Sequence, residues 1–144
     1  MGYTHHWNNS RPIDDSEWEA ITTRARQILR VAQDDLGIAL SEEYDVNRMP
    51  IVSEKEIRFN GYADEGHETF MITRDADDYS FCKTARKPYD VVVVAMLQLM
   101  GVYAAGFDWR SEGNDDDLID GLKLYNKATG ANWDHTNVTR EHTS

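Results

Sequence analysis

Several features that define other classes of small protein are scarce in this chain. It has one cysteine, Cys82, so an intramolecular disulfide is excluded and a reducing compartment is natural. Basic residues are few: 15 Lys and Arg stand against 26 Asp and Glu, for a formal net charge of -11. Such a chain lacks the positive field that general nucleic-acid binding or attachment to an anionic membrane requires. DNA mimicry, a basic protein partner or simple solubility all remain compatible with this charge.

A long apolar run is also missing. The longest, residues 91–107, is interrupted by Gln98 and Gly101 and is too short to cross a bilayer. The chain begins with MGYTHHWNNS, which is polar and aromatic rather than basic and then apolar, unlike a secretory signal. We therefore expect a cytoplasmic protein without a membrane partner.

The chain does have enough apolar sequence for one folded domain. Hydrophobic residues make up 40% of it, and a chain of this length buries roughly two thirds of its unfolded surface on folding. We predict a single domain over residues 1–130. The polar residues 131–144 are predicted to form a flexible C-terminal tail.

The first residues predict a strand with two different faces. Side chains alternate across a strand with a period of two. One face therefore carries Tyr3, His5 and Trp7, and the other carries Thr4 and His6.

Three helices are predicted farther along. Ser16 and Glu19 match a capping box at the start of an amphipathic helix of about five turns. Pro88 suits the first turn of a second helix, which spans residues 89–105 and is apolar on almost every side. Asn114, followed by three aspartates, predicts the start of a third.

Strands are predicted between these helices. Residues 56–60 and 68–73 are typical of a β-hairpin, and residues 79–83 and 107–109 of two shorter strands. The order predicts an α+β fold: an antiparallel or mixed sheet of about four strands with helices packed on it. A ferredoxin-like arrangement is one topology that fits this order.

The segment FCKTARKPYD, residues 81–90, concentrates positive charge in an acidic chain. It places Lys83, Arg86 and Lys87, together with the Thr84 hydroxyl, just before the second predicted helix. A helix N-terminus offers free N–H groups and the positive end of a dipole, so cations there are unfavourable unless an anion is present. We predict that these residues hold a phosphate or a carboxylate. The alternative is an ion-pair network with the chain's own aspartates.

A second candidate group combines rings with polar side chains. Aromatic rings with polar edges, beside an amide and a histidine, suit stacking on a flat ligand ring and recognition of its edge. The plainer interpretation is that these aromatics are half-buried sheet residues that cover the first helix. The members of the group are Tyr3, His5, Trp7, Asn60, His67 and Thr69.

Catalysis and metal binding are predicted less directly. A lysine next to Cys82 would lower the pKa of its thiol, and His67 with Glu68 could then support a nucleotide-processing hydrolase. A small buried thiol is the alternative for Cys82. The histidines His5, His6 and His67 and the cysteine lack the spacing of zinc ligands, so neither a metal site nor a cofactor is predicted.

Several motifs resemble those of an uncharacterised family of small proteins found largely in bacteriophage genomes. They are MGYTH at residues 1–5, Trp7, IRFNG at 57–61, HETF at 67–70 and FCKTARKPYD at 81–90. The family has an aromatic residue after its first histidine, where this chain has His6. The resemblance implies a place in the host cytoplasm and a role against host defence.

The resulting expectation is a non-catalytic protein that binds an anionic small molecule, a nucleotide or nucleotide-derived immune signal, and sequesters it. The first alternative is an acidic inhibitor that docks on a host protein or mimics DNA through residues 42–45 and 115–120. The second is the hydrolase that uses His67 and Glu68. An exposed surface of the apolar helix could also pair two copies into an oligomer.

Overall fold

A computed structural model describes residues 3–43 and 48–133 of the chain, with the side chains of 115–117 excepted. This part contains three α-helices and strands that pair antiparallel, so the predicted α+β class is confirmed. In chain order the elements are β1 (Thr4–Asn9), α1 (Asp15–Asp34), β2 (Leu40–Ser41), β3 (Ile51–Val52), β4 (Glu56–Gly61), β5 (Phe70–Thr73), β6 (Asp77–Lys83), α2 (Asp90–Tyr103), β7 (Phe107–Ser111) and α3 (Asp115–Thr129).

The strands form two antiparallel sheets. One has the order β6-β1-β7, so the first strand of the chain is its centre. The other is built around β4, which pairs with β2, β3 and β5, and its β4–β5 pair is the predicted hairpin. These pairings do not form the single continuous sheet that a ferredoxin-like arrangement needs. Two strands, β2 and β3, have two residues each, too few for any periodic signal in the sequence.

Helix α1 begins with a capping box, but not the predicted one. The amide of Glu17 donates to Asp14 Oδ1 at 2.7 Å, and the amide of Asp14 donates to Glu17 Oε1 at 3.2 Å. The prediction of Ser16 and Glu19 was therefore wrong by two residues. Both pairs have the same spacing, and an aspartate caps a helix as well as a serine does.

Helices α1, α2 and α3 all pack on one another. Ten of the 14 residues of α2 are buried, as its almost uniformly apolar sequence predicts. Gly121 allows α3 to approach closely, because an added Cβ there would lie 2.5 Å from the Cβ of Val94. No helix in the described ranges is both long and apolar enough to cross a membrane.

Aromatic rings join the two sheets beneath the helices. The ring of Phe70 lies 5.3 Å from that of Trp7 and 5.0 Å from that of Phe59, centroid to centroid. Near the other end of the domain, Trp133 packs against the core and exchanges two hydrogen bonds with the Asn126 side chain. The rest of the predicted tail, 134–144, lies outside the described residues.

Candidate functional site

The two faces of β1 have different environments, as the alternation in its sequence predicts. Tyr3, which precedes the strand, and the strand residues His5 and Trp7 are buried, with 5%, 0% and 6% of their surface exposed. The Trp7 ring packs on Phe70, and the His5 ring lies edge-on to Tyr3 with centroids 5.1 Å apart. His5 and Trp7 are therefore core residues, which is the plainer of the two interpretations offered by the sequence.

The buried His5 is part of a hydrogen-bonded group at the start of α2. Its Nε2 lies 2.5 Å from Asp90 Oδ1, and the Thr84 hydroxyl donates to the same oxygen at 2.7 Å. Thr84 is fully buried and Asp90 nearly so. A carboxylate in the first turn of a helix is favoured by the helix dipole. The protein's own Asp90 thus occupies the place where the sequence predicts an external anion. The Thr84 hydroxyl, predicted to bind that anion, is hydrogen-bonded to Asp90 instead.

The N-terminus of α2 also lacks the free amides that the prediction requires. The amides of Asp90 and Val91 donate to the carbonyls of Lys87 and Pro88, at 2.8 and 3.3 Å. The next two amides, of Val92 and Val93, both donate to the Tyr89 carbonyl. The turn before the helix therefore uses these four donors, which are not available to an external anion.

The three cations of FCKTARKPYD do not converge on one point. Lys83 and Arg86 line the same cleft, whereas the Lys87 ammonium donates to the Asp64 carbonyl at 3.0 Å. The Arg86 guanidinium lies 4.1 Å above the centre of the Tyr3 ring, a cation–π contact. Lys83 makes no ion pair with any carboxylate in the described part of the chain.

Backbone geometry explains why these cations separate. Ala85 and Arg86 both have positive φ, 53° and 57°, and the Lys87 amide donates to the Thr84 carbonyl at 3.0 Å. Two central residues with positive φ closed by such a bond are typical of a type I′ turn. Residues other than glycine adopt this backbone conformation at a cost of about 1–2 kcal/mol each. This tight turn sends Arg86 towards the sheet and Lys87 away from it.

The other face of β1 is open. His6 lies opposite Phe81 of β6 on one side and Arg110 of β7 on the other. Directly paired residues project to the same side of a sheet, so these three side chains share a face. We call it the outer face. It carries Thr4, His6 and Asn8 from β1, Tyr79, Phe81 and Lys83 from β6, and Asp108, Arg110 and Glu112 from β7 and the residue after it.

Three rings run across this face. The Tyr79 ring lies 5.6 Å from that of His6 and 5.9 Å from that of Phe81. Tyr79 and Phe81 are about half exposed, 53% and 47%, although most aromatic rings of the chain are in the core. His6 Nδ1 and the Tyr79 hydroxyl are hydrogen-bonded at 2.6 Å. Partial burial, followed by the positive charge of Arg110, lowers the pKa of His6 below its usual 6.5, which favours the neutral form of the ring.

One end of the outer face forms an open cleft of about 670 Å³, which we call the Lys83 cleft. Its cations are Lys83 and Arg86. Its one acidic residue, Glu112, accepts a hydrogen bond from the Thr4 amide at 3.1 Å, and its other oxygen lies 3.8 Å from His6 Nε2. The lining residues are Tyr3, Thr4, His6, Tyr79, Phe81, Lys83, Arg86 and Glu112.

A second, smaller cleft of about 240 Å³ adjoins the first and shares His6 and Tyr79 with it. We call it the Arg110 cleft. A bulge in the β1–β6 pairing sets both Asp78 and Tyr79 opposite Asn8, which brings the Asp78 carboxylate to this cleft. The lining residues are His6, Trp7, Asn8, Asp78, Tyr79, Asp108, Trp109 and Arg110.

Asn60, His67 and Thr69 are not among the residues that line either cleft. The Asn60 amide is fully buried and holds the loop after β4. Its nitrogen donates to the His67 carbonyl and the Thr69 hydroxyl, and its oxygen accepts from the amides of Gly61 and His67, all between 2.7 and 3.1 Å. Because these bonds use its donors and acceptors, Asn60 has a structural role and is not placed to recognise a ligand.

The residues of the hydrolase alternative are poorly placed for catalysis. Cys82 is fully buried, and burial, with the nearby Glu68 carboxylate, raises the pKa of its thiol to about 12. A thiol that stays protonated is a weak nucleophile. One Glu68 oxygen accepts from the Lys83 amide at 2.7 Å, and the Glu68 carbonyl accepts from the Tyr89 hydroxyl at 2.5 Å. His67 is exposed, and within the described residues its ring makes no hydrogen bond or ion pair with Cys82 or with Glu68.

The acidic surfaces of the inhibitor alternative are only partly described. Glu42 is paired with Arg48 at 3.3 Å and Glu43 with Arg58 at 3.1 Å, so both are close to a compensating charge. Residues 44–47 and the side chains of 115–117 lie outside the described part of the chain. Within that part, no three acidic, histidine or cysteine side chains are grouped as metal ligands would be.

The outer face was missed in the sequence because it depends on strand pairing. Tyr79 and Phe81 alternate within β6, a weak sign of one exposed face, but His6 is 73 residues from Tyr79. Comparison with protein-family models, curated proteins and solved structures finds no match to this chain.

Proposed function

We propose that the protein binds a nucleotide-type anion on its outer face and holds it without chemical change. The observation that carries this proposal is the half-exposed pair Tyr79 and Phe81 beside Lys83 and Arg86 in one cleft. Exposed rings next to cations suit a ligand with a flat ring and a phosphate. The cleft volume, about 670 Å³, lies within the range typical of small-molecule sites.

Each part of the ligand has a matching part of the cleft. The ring stacks on Tyr79 and Phe81, and the phosphate lies between Lys83 and Arg86. Glu112, which lines the same cleft, accepts hydrogen bonds from the sugar hydroxyl groups, as acidic residues do in many nucleotide sites. Tyr3 keeps a place in this site through its contact with the Arg86 guanidinium.

Binding without turnover is favoured by what surrounds the cleft. The thiol of Cys82 is sealed in the core and its pKa is raised, so it supplies no nucleophile. His67 and Glu68 do not line the Lys83 cleft. The role proposed for such binding is the one implied by the resemblance to phage proteins: to sequester a nucleotide-derived signal of the host's defence.

Calorimetric titration with nucleoside monophosphates and triphosphates tests the proposal. Lys83→Ala and Arg86→Ala are each expected to weaken binding roughly 10- to 100-fold, because charged hydrogen bonds contribute about 1.5–3 kcal/mol. Lys87→Ala is the matched control. It removes the same charge from the same segment, but from a side chain bonded to the Asp64 carbonyl, and should leave affinity nearly unchanged.

Two results would overturn the proposal. One is that no nucleotide binds to the wild-type protein at millimolar concentration. The other is that Lys83→Ala and Lys87→Ala weaken binding equally, which would show a general charge effect instead of a site. If chromatography shows that a bound nucleotide is hydrolysed, the location of the site stands, but the proposal that binding occurs without chemical change is wrong.

A further inference from the structure

The Arg110 cleft differs in charge from the cleft beside it. Its charged residues are Asp78, Asp108 and Arg110, with two acidic groups against one basic group. A second phosphate would be repelled there. A neutral group that both donates and accepts hydrogen bonds would be favoured, and the polar amide of Asn8 adds to this character.

Position along the outer face decides which part of the ligand reaches this cleft. His6 and Tyr79 line both clefts, so a ring that stacks on Tyr79 has one edge in the Arg110 cleft while its phosphate stays near Lys83. The smaller volume of the Arg110 cleft, about 240 Å³, suits one ring system better than a whole nucleotide. The cleft is therefore placed to recognise the edge of a base.

The available groups have a distinct pattern. Within the described residues, the Asp78 carboxylate and the Asn8 amide make no hydrogen bond or ion pair with the protein, and Asp78 is exposed. A carboxylate needs adjacent N–H donors, and an arginine needs two adjacent acceptors. Among the common bases, guanine has both: N1–H and the 2-amino group on one side, and O6 and N7 on another.

We propose that the Arg110 cleft selects guanine, an inference that rests on the proposed function. Asp78 accepts hydrogen bonds from N1–H and the 2-amino group, and Arg110 donates to O6 and N7. Adenine offers Asp78 its one amino group and leaves Arg110 only N7. Cytosine and uracil lack the second ring and the N7 acceptor.

Binding of GMP, IMP and AMP to the full chain, measured by calorimetry, tests this assignment. IMP is GMP without the 2-amino group but keeps N1–H, so the GMP/IMP affinity ratio reports the hydrogen bond between the 2-amino group and Asp78. We expect GMP to bind about tenfold more tightly than IMP, and IMP more tightly than AMP, since one good polar pair gives discrimination of this order.

Two variants assign the preference to residues. Asp78→Ala, which removes the acceptor oxygens, should bring the GMP/IMP ratio close to one. Because this change also removes a negative charge, it should slightly strengthen binding of GMP, IMP and AMP alike. The GMP/IMP affinity ratio is therefore the quantity to compare. Arg110→Gln should reduce the preference of GMP and IMP over AMP. Lys83→Ala should weaken all three nucleotides by similar factors and leave the ratios unchanged.

The outcomes separate this inference from the function on which it rests. Equal affinities for GMP, IMP and AMP in the wild-type protein, or a preference for AMP, overturn the assignment of guanine and leave nucleotide binding intact. A GMP/IMP ratio that survives in Asp78→Ala overturns the role of that residue. If none of the three binds, the proposed function itself fails. Thermal unfolding of each variant shows that a changed ratio does not come from lost folding.

Discussion

The inner and outer faces of β1 belong to the same six residues, yet they have opposite roles. The inner face buries His5 and Trp7, and His5 is hydrogen-bonded to Asp90 at the start of α2. The outer face leaves His6 and Asn8 partly exposed between rings and charges. Adjacent histidines thus differ in function: one joins the sheet to a helix, and the other lies in the proposed site.

This difference shows how one strand can contribute both to the core and to the proposed binding surface. A one-residue shift in the register of β1 would exchange the two faces. The hydrogen bonds among His5, Thr84 and Asp90 oppose such a shift, because they pair only when His5 points inward. The inner contacts therefore also fix which side chains the outer face presents.

The largest effect is expected from breaking the inner group. Asp90→Ala leaves His5 Nε2 and the Thr84 hydroxyl buried without their shared acceptor. Each unsatisfied group costs about 1–3 kcal/mol, so the free energy of unfolding should fall by roughly 3 kcal/mol. Urea unfolding followed by circular dichroism measures this as a lower midpoint.

Asn8→Ala, on the outer face of the same strand, is the control for that variant. Its side chain makes no hydrogen bond with a described residue, so stability should change by less than about 0.5 kcal/mol. Equal losses in Asp90→Ala and Asn8→Ala would contradict the division of β1 into two functional faces.

The next effect concerns the rings of the outer face. Tyr79→Ser and Phe81→Ser should each weaken nucleotide binding by about 5- to 150-fold, since stacking on an aromatic ring contributes about 1–3 kcal/mol per base. Both side chains are half exposed, so the unfolding midpoint should move little. Calorimetry and thermal unfolding on the same samples measure both quantities. Unchanged affinity in both variants would place the ligand ring elsewhere.

The smallest effect is the pH dependence of His6. Its pKa is lowered in the folded protein, first by burial and then by Arg110, so the unfolded chain binds a proton more readily. The stability contributed by this residue should therefore be lost as the pH falls through 6.5 and below. His6→Gln should reduce the fall in unfolding midpoint between pH 7.5 and 5.5. An identical fall in both proteins would show that other groups cause it.

Local patterns predicted the elements of this fold well. The alternation of β1, the apolar α2 and the β4–β5 hairpin each depend on neighbouring residues, which the sequence displays directly. The site was harder to predict, because strand pairing brings His6 to Tyr79 and Phe81 across a long separation in the chain. Register of this kind leaves no local signal.

The cations of FCKTARKPYD show the converse case, in which residues that are close in sequence have side chains that lie apart in the structure. Lys83, Arg86 and Lys87 are neighbours in the chain, but the turn with positive φ at Ala85 and Arg86 separates their side chains. The sequence offered the chain's own aspartates as the alternative to an external anion. Asp90, the first acidic residue of α2, takes that place, bonded to His5 and Thr84.

The sealed position of Cys82 has a practical consequence. It is the only sulfhydryl of the chain, it is fully buried, and its pKa is raised to about 12, so thiol reagents should leave it untouched in the folded state. A new cysteine placed at the rim of either cleft would then be the sole target of a maleimide dye. The native chain is in this respect ready for site-directed fluorescent labelling, with no background residue to remove first.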